Sequence, residues 1–495
     1  MTPLLAMTNG TSVAAHRVPV LRPVEFTEAI VGAPALGRRV AALFALPWGA
    51  SRALHLAVVL AHDDAGVLEC GVTKVVGESF VSMTEACPEV HLFEREIAEN
   101  WSVVAKGHPW LKPVRRWQSP TTAALVPEFF QMDGDEIHEV AVGPVHAGVI
   151  EPGHFRFQCH GEHVFHLEIA LGYQHRGIER ALVGGPCKRT IHQIETIAGD
   201  TTVGHTTAYC QLIEAFIQEP SSPRGQALRA VALELERLAN HTGDLGALAG
   251  DVGFLPTASY CGRLRGDLLN MTALLCGNRF GRGLIRPTGV AFDCEDARGR
   301  ALLERLKDAA RDIEDAVGLL WTSPSVMSRF EDVGRVTKET ARSLGLVGPA
   351  ARASGLLRDV RAHHAASGSG AFTPATDTSG DVFSRAQVRW LETKWSLDFV
   401  RERLTDLPDG AIRARDNMPD ALGASLFAVA LVEGWRGEIC HVAATDDAGR
   451  FLAYKVVDPS FHNWMGLQMA LRDQQISDFP LCNKSFNLSY CGHDL

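Results

Sequence analysis

The chain has 495 residues, 46% hydrophobic and 21% charged. That is too long for one core and too ordinary in composition for a disordered or coiled-coil chain. Its 48 Lys and Arg stand against 58 Asp and Glu, a formal net charge of -10; no global basic field exists, so no nucleic-acid partner is expected. The 11 cysteines are scattered, and no two are separated by two residues. This argues against a secreted disulfide framework, for a reducing compartment, and against an iron–sulfur cluster held by this chain alone.

In chain order, the opening MTPLLAMTNGTSVAAHR lacks a basic n-region, so no signal peptide is expected. Residues 25–115 read as a small α+β unit, with LHLAVVLAH (54–62) as a strand. The longest apolar stretch, 40–61, is broken by Pro47, Gly49, Arg52 and His55, and no membrane span is expected. Residues 126–140 carry Pro, Gly and acids and read as a linker. A short β-rich segment follows, then helical stretches at 225–249, 259–277 and 297–320, the last with Leu302, Leu303, Leu306, Ile313 and Val317 in helical register. Residues 362–380 read as a Gly/Ser/Thr-rich loop. The expected fold class is α+β: a small N-terminal α+β domain (1–125), a linker, then a domain over 141–495 with a β-rich start and a large helical bundle.

Several runs carry a resemblance. EREIAENWSVVAKGHPWLKP (94–113) resembles the signature of the 30-kDa-type subunit of complex I. GPVHAGVIEPGHFRF (143–157), LGYQHRGIERAL (171–182), LELERLANHTGDLGALAGDVGF (233–254), GNRFGRGLIRPTGV (277–290), GLLRDVRAHHA (355–365) and VEGWRGEICH (432–441) resemble the large subunit of group 4 [NiFe] hydrogenases. The formate hydrogenlyase and hydrogenase-4 types are meant, and the 49-kDa subunit of complex I is their relative. The pieces keep family order, so the resemblance implies a fusion of a 30-kDa-like domain (1–125) to a hydrogenase-large-subunit or 49-kDa-like domain (141–495).

In catalytic members nickel is held by two CxxC pairs. Anchoring ETIAGDTTVGHTTAY (195–209) and SFNLSYCGHD (485–494) on the family pattern puts Ala198, Thr201, Ser489 and Gly492 at the four thiolate positions, with Cys491 one residue out of phase. Nickel and low-spin iron require soft donors, so no NiFe centre is expected. The sequence stops at Leu495, where many hydrogenase large subunits continue into an extension removed after nickel insertion; this is read as in keeping with lost nickel. The tyrosine that binds quinone in the complex I branch falls near Gly199, and His146 or His154 is left as the histidine of a quinone-like pocket.

The resemblance further implies functional positions at His175, Arg176 and Glu179 of the HRGIE element, at Arg436 of WRGE, and at His205. Glu179 is a candidate proton relay, with an ion pair to Arg176 or Arg180 as the alternative. Arg436 leans over the metal site in the family, with pairing to Glu433 or Glu438 as the alternative. His205 lies where the family faces its partner's nearest iron–sulfur cluster and is a candidate for tuning its potential, with a satisfied core histidine as the alternative. Asp200, Thr201 and His205 could meet Ser489, Cys491, His493 and Asp494 as a zinc site, and His363 with His364 look like a ligand pair. His108 and Arg95 resemble interface positions.

The expected function is a subunit of a membrane-associated respiratory-type complex, NADH:quinone oxidoreductase-like or hydrogenase-4-like, with NAD(P)H or quinone chemistry in the complex and no cofactor in this chain. The alternative is a non-catalytic scaffold or coupling subunit. Expected partners are an iron–sulfur small subunit carrying a [4Fe–4S] cluster and antiporter-like membrane subunits. The expected location is cytoplasmic, peripheral to the inner membrane through those partners.

Overall fold

A computed structural model describes residues 4–117, 123–145, 151–365, 372–416 and 418–495. The fold is α+β. Strands Arg38–Trp48 and Ala53–His62 form a hairpin whose turn places Gly49 and Arg52 in the left-handed region. Strand Val67–Lys74 continues this sheet, flanked by Leu5–Met7 and Val20–Leu21. Helices Pro23–Val31 and His91–Trp101 pack on it, burying Ile30, Leu43, Val58, Leu60 and Phe93 in one core.

Residues 126–136 contain no helix or strand, but the expected linker ends early: strand Ile137–Val142 starts inside it and pairs with His154–His160. Alternating side chains explain this, because Val140 and Val142 pack against a core that no isolated linker would have. His163–Ala170 completes this three-stranded sheet.

The helical bundle is built as its periodicity predicts. In Asp296–Trp321 the buried face is Leu302, Leu306, Ala309, Ile313 and Val317, with Leu303 at its edge. Helix Pro223–Asp251 starts at Ser222, whose hydroxyl accepts the Gly225 N–H, with Pro223 at the first position. It lies centrally between Leu255–Cys276 and Val382–Thr405, buried nearly all round. The sequence reading missed a four-stranded antiparallel sheet ordered Phe451–Val457, Gly437–Thr445, Leu426–Gly434, Thr11–Ala14. Its two central strands are buried on both faces, so they show a continuous apolar run in place of alternation. Strand Thr11–Ala14 crosses from the chain's start to join it. Among the described residues no helix is long and apolar enough to cross a membrane.

Bundle and sheet are joined by a buried lattice of charge. Arg352, fully buried, donates to Glu392 at 2.6 Å and Glu433 at 2.8 Å and lies 3.1 Å from Asp359. Glu392 also accepts from His241 (2.8 Å), and Arg361 pairs with Asp359 at 2.7 Å. Burial and the neighbouring Asp359 push the Glu433 carboxyl up to about 7. Arg352→Met leaves three carboxylates facing an apolar side chain and is expected to destabilise the chain by about 3–5 kcal/mol, read from the shift in a urea unfolding midpoint. An unchanged midpoint would show that the lattice does not hold bundle to sheet.

Candidate functional site

Two stretches distant in sequence meet here: the approach to helix Thr202–Ile217 and the residues around helix Tyr490–Asp494. Arg176 joins them. Its guanidinium donates to the carbonyls of Thr196 (2.6 Å), Ile197 (2.9 Å) and Cys491 (3.0 Å). Its backbone N–H and that of Gly177 donate to the Leu495 oxygen at 2.7 and 3.0 Å. His175 Nδ1 donates to the Asp494 carbonyl at 2.8 Å, and the Asp494 carboxylate accepts from the N–H groups of Gly172 and Gln174. His175 and Arg176 thus clamp the last residues onto the core.

Glu179 pairs with neither Arg176 nor Arg180. It accepts the Val456 N–H at 2.9 Å and lies 3.0 Å from Lys455 Nζ, which reaches Glu96 at 2.5 Å. Glu96 also takes the Arg115 guanidinium, and although burial opposes ionisation, the two cations hold its carboxyl at about 2.

Arg436 sits in the two-residue turn between strands Leu426–Gly434 and Gly437–Thr445. Gly437 is required there, because the backbone of Gly348 lies 2.7 Å from where its Cβ would be. Arg436 pairs with Asp200 in place of Glu433 or Glu438: Nη1 and Nη2 grip the two carboxylate oxygens at 2.7 and 2.8 Å. Glu433 is taken by Arg352, and Glu438 by Arg39 at 2.5 Å. Arg436 also donates to Thr201 Oγ1 (3.2 Å) and the Asn487 carbonyl (2.5 Å), and its guanidinium lies 3.9 Å from the Trp435 ring centroid. Burial opposes ionisation of Asp200, but Arg436 holds its carboxyl below the usual range.

His205 is fully buried, and its Nε2 donates to Asp458 at 3.0 Å. In a neutral imidazole its Nδ1 then accepts, taking the N–H of His441 Nε2 at 3.1 Å, and His441 Nδ1 accepts the Tyr454 hydroxyl at 2.8 Å. Burial and then His205 keep His441 neutral, burial keeps Tyr454 a phenol, and against burial His205 holds Asp458 ionised. Every donor in the chain Tyr454–His441–His205–Asp458 points the same way, the arrangement a proton relay requires. Asp458 also caps helix Pro459–Ala470 through the Ser460 N–H.

The four positions aligned with nickel ligands do not fit a nickel–iron centre. Ala198 is a buried methyl, the Thr201 hydroxyl is bonded to Asp200 and Arg436, and the Ser489 hydroxyl accepts the Gly492 N–H at 2.9 Å. A Cβ on Gly492 would stand 2.6 Å from Asp458 Oδ2 and 2.9 Å from Ser489 Oγ, so a side chain there requires the Asp458 and Ser489 side chains to move. Burial and Glu151 push the Cys491 thiol up to about 12, which removes it as a thiolate donor. The zinc set is not assembled: Asp200 is held by Arg436, and His493 faces Asp494. No group of three His, Cys, Asp or Glu among the described residues could hold a metal. His363 and His364 diverge, the first to the Leu357 carbonyl and the second to Asp63.

His154 is not brought to this pocket; its ring packs on Phe129 and its Nδ1 donates to the Gly143 carbonyl at 3.1 Å. His146 lies outside the described residues. His108 Nε2 meets the His91 carbonyl and Arg95 donates to the carbonyls of Lys112 and Pro113, so both brace the first unit internally. Sequence reasoning missed Asp458, Tyr454 and Glu236. Asp458 carries a local signal, an Asp before a Pro at a helix start, but its bond to His205 spans 253 positions.

A helical bundle closed by a two-face-buried sheet, with its chain end folded back onto an HRGxE clamp, agrees with a fold of the hydrogenase-large-subunit type. Residues 251–425 match the family model of the 49-kDa subunit of respiratory-chain NADH dehydrogenase. The carbon monoxide-induced hydrogenase of Rhodospirillum rubrum is 32% identical over 359 residues, 71% of this chain and 97% of that protein. Formate hydrogenlyase subunit 5 of Escherichia coli is 29% identical over 83% of this chain and 76% of its own length. NADH-quinone oxidoreductase subunit 4 of Thermus thermophilus is 28% identical over 69% of this chain and 90% of its own length. The chain belongs to the family of group 4 hydrogenase large subunits, to which the complex I 49-kDa subunit is related.

Beneath the pocket, Glu236 accepts the N–H groups of Val203 (2.7 Å) and Gly204 (3.1 Å) at the start of helix Thr202–Ile217. Burial outweighs these bonds and, with Asp200 nearby, pushes its carboxyl up to about 8 from 4.5. The folded state therefore holds a proton that the unfolded chain releases above 4.5, so this group lowers stability as pH rises, by at most about 1.4 kcal/mol per pH unit. Glu236→Gln is expected to lose that slope between roughly pH 4.5 and 8, whatever constant offset the amide adds. Parallel urea-stability profiles for the two proteins across this range would refute it.

Proposed function

We propose that this chain is a subunit of a membrane-associated respiratory-type oxidoreductase complex, of the NADH:quinone oxidoreductase or hydrogenase-4 kind. It takes part in electron transfer without a nickel–iron centre of its own. The observation that carries this reading is the bidentate Arg436–Asp200 pair. Where the family resemblance places an arginine over a metal, the guanidinium here is neutralised by a carboxylate of the same chain, and none of the four aligned positions offers sulfur.

The partners in this reading are an iron–sulfur small subunit with a [4Fe–4S] cluster and antiporter-like membrane subunits. These would hold the chain on the cytoplasmic side of the inner membrane, with NAD(P)H or quinone as donor or acceptor of the whole complex. A second reading, a non-catalytic coupling or scaffold subunit, is favoured by the aligned chain Tyr454–His441–His205–Asp458. This chain can pass a proton through the core with no redox group beside it.

The test is metal analysis and EPR on the complex purified with its small subunit. Nickel well below one atom per chain, no hydrogen-dependent viologen reduction and a reducible [4Fe–4S] signal are expected. One nickel per chain would overturn the reading, and absence of the cluster signal would favour the scaffold role.

A further inference from the structure

The cluster around Arg352 holds more acid than base. Four carboxylates meet there: Glu433 from strand Leu426–Gly434, Glu392 from helix Val382–Thr405, Asp359 at the start of helix Val360–His363, and Glu234 from helix Pro223–Asp251. Three guanidiniums face them. Arg352 takes Glu392, Glu433 and Asp359; Arg361 takes Asp359 and Glu234; Arg237 takes Glu234 and lies 3.6 Å from Glu392. Each of these side chains is 10% exposed or less. One negative charge is therefore left over in a site removed from water.

The surrounding groups do not supply the missing cation. Glu438, directly across the ladder from Glu433, is held by Arg39, which also takes Asp63. Arg358 donates to the Leu346 carbonyl, and the acids in its field are Glu89, Asp63 and Glu438. Against Arg39, Arg358 and the His364 on Asp63, those acids leave no cation to spare. Arg389 is paired with Asp244. His241 Nε2 donates to Glu392 at 2.8 Å, and its Nδ1 is buried with no hydrogen-bond partner among the described residues. A second proton on that ring would face nothing, and burial holds the imidazole neutral.

The geometry singles out Glu433. Arg352 Nη1 carries two hydrogens but has three oxygens around it: the Arg358 carbonyl at 2.8 Å, Glu433 Oε1 at 2.8 Å and Asp359 Oδ2 at 3.1 Å. Two carboxylate oxygens on one nitrogen stand within about 6 Å of each other, so each charge opposes the other. Asp359 has a second guanidinium in Arg361 at 2.7 Å, and Glu392 has Arg352 Nη2 at 2.6 Å. Glu234 has Arg237 at 2.9 Å and the Ser396 hydroxyl at 2.6 Å. Glu433 has only its share of Nη1 and the Val360 N–H at 3.0 Å.

We propose that this cluster binds one exchangeable proton, seated on the Glu433 carboxyl, and serves as a proton store between the helical bundle and the C-terminal sheet. Burial, and then Asp359, raise that carboxyl to about 7, so the proton exchanges near neutral pH. Loading and unloading change the charge beside the turn that carries Arg436. The site is separate from the chain Tyr454–His441–His205–Asp458 and does not depend on either reading of the function.

Infrared difference spectra of the full chain, titrated between roughly pH 5 and 9, test this. The parent for the comparison carries Glu236→Gln, which removes the band of that other raised carboxyl. It is expected to lose one protonated-carboxyl C=O band as pH rises, with a midpoint near 7. Glu433→Gln leaves the remaining carboxylates matched by guanidiniums and is expected to fold and to lack that band. Asp359→Asn keeps a side chain that caps the helix but removes the opposing charge. It is expected to keep the band and move its midpoint down by at least about one pH unit. The same band in Glu433→Gln, an unmoved midpoint in Asp359→Asn, or no titrating carboxyl band in the parent would each overturn the proposal.

Discussion

A charge taken out of water must be met by an opposite charge or a full set of hydrogen bonds, and this core takes in many. Arg352 is the node. It draws Glu392 from helix Val382–Thr405, Glu433 from strand Leu426–Gly434 and Asp359 from the segment just after its own helix into one buried cluster. Fixing Glu433 fixes the strand, and the strand's next residues form the turn that carries Arg436. That turn faces Asp200, so the entry to helix Thr202–Ile217 is tied to the same buried cluster.

Around the four positions aligned with nickel ligands, the polar groups of this chain pair with one another. A buried guanidinium with nothing opposite it would be costly, and Asp200 removes that cost at ordinary hydrogen-bond distance. Asp458 lies where a side chain on residue 492 would stand, and its carboxylate accepts a hydrogen bond from His205 Nε2. What remains is a set of polar groups with consistent donors and acceptors, running out to the Tyr454 hydroxyl. A satisfied network of this kind is rigid and directional, which suits proton transfer better than ligand exchange.

Much of the fold was legible in the residues. The 3.6-residue spacing of Leu302, Leu306, Ile313 and Val317 announced a bundle helix, and LHLAVVLAH announced a strand. The C-terminal sheet was not legible, because strands such as LFAVALVEG, buried on both faces, lack the alternation that distinguishes a strand from a helix segment. The strand Ile137–Val142 hid in a stretch whose Pro, Gly and acids mostly precede it. At the site, HRGIE and WRGE were visible as motifs, but the partners of Arg436 and Glu179 were expected among near neighbours in sequence. They come instead from 236 and 276 positions away.

The sequence by itself determined which atoms are available: no CxxC, no sulfur at 198, 201, 489 or 492, and an arginine and several carboxylates in their family places. Composition and motif order are one-dimensional properties, and they were enough to name the family and to argue against nickel. Only the tertiary structure decided what each charged group is paired with. Several ion pairs in this core join elements hundreds of residues apart, and which carboxylate meets which guanidinium depends on the packing of helices and sheet. That packing sends Arg436 to Asp200 and Glu179 to Lys455.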